Sequence, residues 1–160
     1  MAPMKQDLIV FDLDDTLSIV GDRANILDQE FPTAGEKWDA FFGACDQDAP
    51  NEPIIAILRD MAMESKYRIE IWTGRTDKYR VKTEAWLLEH VTFPPAYNGP
   101  PLNIPLRMRA SDDFRHDLEV KGEWVEKYGK PWLVFDDRNS MVKHWRSLGI
   151  VCCQVKENDF

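Results

Sequence analysis

Five short apolar or β-rich segments alternate with segments of helical periodicity along the 160-residue chain. This alternation is typical of an α/β fold in which helices connect parallel strands. The first strand, predicted from Leu8 to Phe11, is continuously apolar. A strand of that kind has both of its faces covered by helices. The sequence therefore predicts a three-layer α/β/α sandwich with a parallel sheet in the middle layer.

The other elements follow from hydrophobic periodicity and from turn residues. Four helices are predicted over residues 53–65, 77–89, 117–128 and 139–148, with Gly129 and Gly149 ending the last two. Four more strands are predicted over residues 67–72, 106–109, 132–135 and 150–155. The Pro-rich segment from Phe93 to Pro105 is predicted to be an irregular loop. Without an internal repeat or a linker, residues 1–160 are expected to form a single domain.

The composition limits the partners and the compartment. A formal net charge of −8 argues against an extended nucleic-acid surface, although a site that binds only a phosphorylated end remains open. No apolar run approaches the roughly 20 residues of a membrane span and no secretory segment is visible, so we expect a cytoplasmic protein without a membrane partner. Cys45, Cys152 and Cys153 fit neither a disulfide framework nor a zinc site. Protein partners cannot be inferred.

Acidic residues follow two of the predicted strands. Asp12 and Asp14 come after the first strand, and Asp136 and Asp137 come after the fourth. Ligands of open α/β sheets bind at the carboxyl ends of the strands, so these four carboxylates are expected to converge. A hard divalent cation would relieve their mutual repulsion, and Mg²⁺ suits oxygen ligands that leave room for a phosphate. The alternative is that these are solvated turn residues.

The segment Phe11-Asp12-Leu13-Asp14-Asp15-Thr16-Leu17 carries the pattern DxDxT directly after a strand. It resembles motif I of the haloacid dehalogenase superfamily. The other motifs of that family are matched in order by Thr73-Gly74-Arg75, Lys121 and the pair Asp136-Asp137. The resemblance implies a Rossmann-like sheet and a Mg²⁺-dependent phosphohydrolase. Asp15 stands where that motif usually carries glycine, which leaves the role of Asp15 open.

The resemblance also implies roles for these residues. Asp12 would attack phosphorus and form an aspartyl-phosphate, and Asp14 would act as the acid and then the base. Thr73 would hydrogen-bond a phosphoryl oxygen, and Lys121 would contact both the nucleophile and the phosphate. The resemblance places Mg²⁺ on Asp12, the main-chain carbonyl of Asp14 and Asp136, with Asp137 as a further candidate ligand.

A narrower resemblance covers most of the chain. Residues 21–23, 50–53, 117–121, 135–138, 145–149 and 153–160 are similar to the 3′-phosphatase domain of the bacteriophage polynucleotide kinase/phosphatase family. This similarity implies that Arg23, Arg75 and Asp117 support the reaction, and Gly74 is grouped with them as a substrate-binding residue. The alternatives are surface ion pairs for the arginines and a helix cap for Asp117. Nothing matches the GxxxxGK[ST] loop that a kinase half requires.

The interval between the first two motifs leaves room only for a minimal cap, predicted from Glu36 to Phe42. Its Trp38, Phe41 and Phe42 are either core residues or flank a nucleobase. An uncovered site favours the removal of 3′-phosphate from polynucleotide ends, as in end repair, or from nucleotides. Two alternatives stay open, namely a phosphatase for free nucleotides or other small phosphorylated metabolites, and a non-catalytic phosphate-binding module.

Overall fold

The structure, a computed structural model, describes residues 6–92 and 101–159. Its elements are, in chain order, β1 (Asp7–Phe11), β2 (Ser18–Ile19), α1 (Ala34–Gly43), β3 (Ala49–Pro50), α2 (Glu52–Ala62), β4 (Tyr67–Thr76), α3 (Arg80–Leu87), β5 (Leu106–Arg109), α4 (Asp117–Tyr128), β6 (Leu133–Arg138), α5 (Asn139–Ser147) and β7 (Val151–Asn158). Among the described helices none is both long and apolar enough to cross a bilayer.

Five strands form one parallel sheet in the order β5-β4-β1-β6-β7. The first strand, β1, lies in the centre of the sheet. β4 and then β5 are added on one side of β1, and β6 and then β7 are added on its other side. This is the doubly wound, Rossmann-like arrangement, and its topological switch point lies between β1 and β6. The predicted parallel α/β fold is confirmed.

The alternation of side chains along β1 produces the three layers. Leu8 and Val10 pack on one face of the sheet, in a core completed by α4 and α5, whereas Ile9 and Phe11 pack on the other face against α2 and α3. All four side chains are buried, with at most 5% of their surface exposed. A continuously apolar strand is what a sheet covered on both faces requires.

Most of the predicted elements are present, with shifted ends. The helix predicted over residues 117–128 has those bounds, and the second strand extends past Trp72 to Thr76 through a register shift between Thr73 and Thr76. The helix predicted over residues 77–89 is a 3₁₀ turn, then α3, then a π-helical turn at Leu88–Thr92. Of the loop predicted over residues 93–105, residues 93–100 lie outside the described residues, and 101–105 have no regular structure.

The cover between the first two motifs is small, as predicted. Between the antiparallel strands β2 and β3 it consists of a 3₁₀ segment at Gly21–Ile26, the helix α1 and a short 3₁₀ turn at Cys45–Gln47. Thr33 and Glu36 form a reciprocal capping box that starts α1. The carboxyl edge of the main sheet consequently stays accessible beside this helix.

Candidate active site

The pairing of β1 with β6 brings Asp12 and Asp136 together. Phe11 pairs with Phe135 across β1 and β6, their rings stack with centroids 4.5 Å apart, and the amide of Asp12 donates to the carbonyl of Phe135 over 2.9 Å. The next residue on each strand is therefore an aspartate, Asp12 on one and Asp136 on the other. Both lie towards the carboxyl ends of their strands, at the switch point where ligands of this fold class bind.

Three carboxylates meet there. Asp12, Asp136 and Asp137 are all buried, and one oxygen from each lies within 4.8 Å of the other two. Burial, reinforced by the neighbouring carboxylates, raises the pKa of Asp12 to about 8 and that of Asp137 to about 6. Such a buried set of hard oxygen donors fits a divalent cation, whose charge would offset the repulsion.

Lys121 projects from α4 into this group. Its ammonium donates to Oδ1 of Asp12 over 2.6 Å and to Oδ2 of Asp136 over 3.5 Å, and its side chain is buried. Although burial opposes the charged amine, the two carboxylates more than offset it and raise the pKa of Lys121. Trp145 donates its indole N–H to the same Oδ2 of Asp136 over 3.0 Å, which fixes the orientation of that carboxylate.

The sequence predicted that the carboxylates of Asp12, Asp14, Asp136 and Asp137 converge, and the structure groups three of them without Asp14. The Asp14 side chain turns away from the group and accepts hydrogen bonds from Arg23 and, over 2.7 Å, from Arg75. Burial would raise the pKa of Asp14, but the two guanidinium groups outweigh it and hold that pKa well below its usual value. Asp14 thus lies beside the carboxylate group, paired with the two arginines that the sequence singled out.

Each of these arginines has a second buried anchor. Arg23 donates through Nε to Asp48 over 2.8 Å, and Ser18 donates to the same carboxylate over 3.0 Å. Arg75 is 1% exposed and donates to Thr83 Oγ1 over 3.0 Å. These arginines are not exposed surface ion pairs, and Asp48 is a site residue that sequence reasoning missed.

Gly74 lies close to the carboxylate of Asp117. A Cβ atom on Gly74 would lie 2.5 Å from both carboxylate oxygens of Asp117, so a larger residue at this position would require that carboxylate or the backbone to shift. Asp117 forms ion pairs with Arg109 and, over 2.7 Å, with Arg138. It does not cap α4, because the capping side chain is that of His116.

Thr73 lies within β4, where the register shift of that strand begins. Its side chain is buried, and Oγ1 accepts from the backbone amide of Arg75 over 3.1 Å. Thr73 and Gly74 line the same cleft as Asp12 and Asp14. Six of the predicted catalytic and substrate-binding residues therefore line one cleft at the carboxyl edge of the sheet, namely Asp12, Asp14, Thr73, Gly74, Arg75 and Asp117. The other two, Arg23 and Lys121, are hydrogen-bonded to Asp14 and Asp12.

Asp15 connects the first motif to the end of the chain. It adopts a positive φ of 58°, a conformation that aspartate tolerates better than most residues, which accounts for an aspartate at a position usually held by glycine. Its carboxylate accepts from the Val20 amide over 3.0 Å and from Asn158 over 3.0 Å. Asn158 also donates to Asp137 over 2.7 Å, so this asparagine, which the sequence did not single out, bridges the two aspartates.

The cleft in front of these residues has a volume of about 710 Å³. Trp38 and Phe42 of α1 line it, and Trp38 is 41% exposed. Phe41 is only 1% exposed, and the guanidinium of Arg23 lies 4.2 Å from the centre of its ring. Phe41 is thus a core residue that also reaches the wall of the cleft, and Trp38 is the most exposed of the three aromatic residues beside the space that a substrate would enter.

Comparison with known proteins agrees with this geometry. Residues 6–160 match the family described as "Polynucleotide kinase PNKP phosphatase domain". The chain belongs to this family. The predicted membership of the haloacid dehalogenase superfamily and the predicted phosphatase class are thereby confirmed.

Several solved structures are similar to this chain. A chain of a Pnkp1/Rnl/Hen1 complex is 29% identical with a TM-score of 0.68, and the match covers 99% of the present chain and 48% of the other. The chain thus spans about half the length of that relative. A hydrolase from Streptococcus pneumoniae TIGR4 (15% identity, TM-score 0.57, 96% and 95% covered) and a haloacid dehalogenase-like hydrolase from Xanthomonas campestris (9%, 0.59, 99% and 86%) share the fold.

Proposed function

We propose that this chain is a Mg²⁺-dependent phosphomonoesterase that acts through an aspartyl-phosphate on Asp12 and removes 3′-phosphate from polynucleotide ends or nucleotides. The observation that carries the proposal is the position of Asp12. Its carboxylate lines the cleft, is held 2.6 Å from the Lys121 ammonium, and shares a buried group with Asp136 and Asp137.

In the first step, an oxygen of Asp12 attacks phosphorus while the bond from phosphorus to the ester oxygen breaks. The leaving oxygen takes a proton from Asp14, and the phosphoryl group becomes bonded to Asp12. Asp14 is ionised while Arg23 and Arg75 hold its pKa low. An incoming phosphate competes for those guanidinium groups and brings negative charge close, so substrate binding raises the pKa of Asp14 and lets it carry the proton.

In the second step, water attacks phosphorus and the bond to Asp12 breaks, which releases inorganic phosphate and restores the carboxylate. Asp14 accepts the proton of that water. Lys121, Thr73 and the Arg23-Arg75 pair supply donors around the transferring group. Preorganised donors of this kind are usually the largest contribution to catalysis, and phosphoryl transfer depends on them.

Asp12, Asp136 and Asp137 are the residues that would hold Mg²⁺, with Asp14 contributing through its main-chain carbonyl. When bound, the ion would supply positive charge against the phosphoryl oxygens and the carboxylates. The raised pKa values of Asp12 and Asp137 support this assignment. Burial and mutual repulsion disfavour the ionised forms of these carboxylates even though Lys121 lies among them, and a bound cation would offset that cost.

The substrate assignment is supported by the family match and by the open cleft. In the described part of the chain the cover contributes one short α-helix, α1, to the wall of the cleft, so a polymer end can enter without a large cap moving. The net charge of −8 favours binding of one terminal phosphate over binding along a nucleic-acid backbone. Free nucleotides and small phosphorylated metabolites are the competing substrates.

The test compares phosphate release from one oligonucleotide carrying either a 3′-phosphate or a 5′-phosphate, and from a panel of nucleoside monophosphates, with Mg²⁺ and with EDTA. We expect release from the 3′-phosphates, abolished by EDTA and by Asp12→Asn. Turnover of small metabolites alone would overturn the polynucleotide assignment. A wild-type protein as inactive as Asp12→Asn on p-nitrophenyl phosphate would favour a non-catalytic phosphate-binding module.

A further inference from the structure

Phe114 is an exposed aromatic residue at the active-site cleft. It lies in the loop between β5 and α4, its surface is 90% exposed, and it lines the cleft that contains Asp12 and Asp14. Isolated exposed apolar side chains are common on proteins, so exposure alone assigns no role. Its position at the mouth of the cleft is what calls for an explanation.

The residues beside Phe114 are firmly held. Arg115 forms hydrogen bonds through its amide and its guanidinium with Asp113, at 3.0 Å each, and pairs with Glu123 at 2.8 Å. Arg109 donates to the Arg115 carbonyl over 2.6 Å. Hydrogen bonds thus hold the loop on both sides of an aromatic ring that remains in solvent, so a ligand that contacts this ring would not have to order the loop.

Trp38 presents a second aromatic surface to the same cleft. It comes from α1, is 41% exposed, and packs edge-to-face against Phe41 and nearly parallel to Phe42. These contacts hold the indole from behind and leave part of it facing the cleft. Two aromatic rings on separate elements are therefore available beside the phosphate-binding residues.

Positive charge at the cleft is largely neutralised. Each lysine and arginine that lines it has an acidic partner: Arg75 with Asp14, Lys78 with Asp39, Arg109 and Arg138 with Asp117, and Arg115 with Asp113 and Glu123. Binding along a nucleic-acid backbone needs cations that are free to replace counterions. Aromatic rings that line the cleft can therefore add affinity beyond the terminal phosphate without displacing an acidic partner.

We propose that Phe114 and Trp38 bind the unpaired nucleobase of the 3′-terminal nucleotide by stacking. The inference rests on the proposed function, because the phosphate of that nucleotide must lie at Asp12. Stacking requires an exposed π-face, so the base must be single-stranded, frayed or part of a 3′-mononucleotide, and every base is acceptable. The proposed substrates are therefore 3′-phosphorylated nucleotides or polynucleotide ends whose terminal base is accessible.

The experiment measures kcat/KM for a 3′-phosphorylated dinucleotide and for the same dinucleotide with an abasic terminal residue. The wild-type protein should prefer the base-containing end by about 5- to 100-fold, the range that stacking provides. Phe114→Ala and Trp38→Ala should each move this ratio towards one, mainly through KM, whereas Phe114→Tyr should keep it. Val81→Ala, an 82% exposed apolar residue of α3 that does not line the cleft, is the matched control and should keep the wild-type ratio.

Three results would overturn the inference. If the wild-type protein hydrolyses the base-containing and abasic ends equally well, the proposed stacking is refuted and the proposed phosphatase function still stands. If the alanine variants lower kcat/KM equally for both substrates, the rings maintain the structure of the cleft and do not bind the base. Release of phosphate from neither substrate by the wild-type protein would overturn the proposed function together with the inference.

Discussion

The ammonium of Lys121 donates a 2.6 Å hydrogen bond to the carboxylate of Asp12, and both side chains are buried. A buried ion pair of this kind is costly to form, because both charges leave water. Here it keeps the proposed nucleophile oriented at the carboxyl end of β1. The same lysine lies 3.5 Å from Asp136 and so balances part of the charge of the carboxylate group.

Replacement of Lys121 by methionine should lower kcat by about 100- to 1,000-fold, because a preorganised donor to the phosphoryl group is lost. The fold should also become less stable, since buried carboxylates lose their cation. Phosphate release and thermal unfolding measure the two effects. Lys127→Met, an exposed lysine of the same helix, should change neither. A Lys121→Met protein with wild-type kcat would refute the role given to this lysine.

The carboxylate group should make stability depend on pH. Burial raises the pKa of Asp12 from 3.8 to about 8 and that of Asp137 to about 6, so their protonated forms are favoured in the folded state. Their contribution to stability is complete below pH 3.8 and is lost as the pH rises through 6 and then 8. Mg²⁺ displaces these protons on binding, so the increase in Tm that it causes should grow from pH 6 to pH 8. An increase that is the same at every pH would contradict this assignment.

Gly74→Ala should inactivate the protein and lower its Tm. The added methyl would lie 2.5 Å from the carboxylate oxygens of Asp117, so either that carboxylate or the β4 backbone at Gly74 must move. Gly122→Ala is the control, because its Cβ meets only ordinary contacts in α4 and alanine favours a helix. Adding Asp117→Ala to Gly74→Ala should recover Tm without recovering activity. A fully active Gly74→Ala protein would disprove the steric argument.

Asn158→Ala should weaken Mg²⁺ binding. The asparagine donates to Asp137 over 2.7 Å and to Asp15 over 3.0 Å, so it orients a proposed metal ligand from outside the metal site. Loss of such a partner typically reduces metal affinity by about 10- to 100-fold. Titration calorimetry with Mg²⁺ measures the affinity directly, with the exposed Glu157 replaced by alanine as control. Equal affinity in the two variants would show that Asp137 needs no such support.

The parts of the site that depend on local sequence could be predicted. An apolar run that ends at Asp12 identifies the carboxyl end of a buried strand, and the periodicity of α4 places Lys121 on a helix with the observed bounds. The parallel sheet then follows from the alternation of strands and helices along the chain. Each of these conclusions requires only neighbouring residues and the general geometry of parallel sheets.

The parts that depend on long-range side-chain packing could not be predicted. Asp48 meets Arg23, 25 residues away, from a loop without a motif, and Asn158 reaches Asp15 across 143 residues. The direction of Asp14 depends on two guanidinium groups that arrive from other elements. The point where a predicted strand ends shows at which edge of the sheet a residue lies. It does not show which partner the side chain of that residue contacts.

The central claim is that Asp12 takes up the phosphoryl group, and acid-quenched mass spectrometry tests it most directly. Asp14→Asn protein is mixed with p-nitrophenyl phosphate, whose phenolate leaves without a proton, and the peptide containing Asp12 is analysed. We expect one hydroxylamine-sensitive phosphoryl group on Asp12, and none in the Asp12→Asn variant. Phosphate release without a phosphorylated Asp12, or an Asp12→Asn protein with wild-type turnover, would contradict the account.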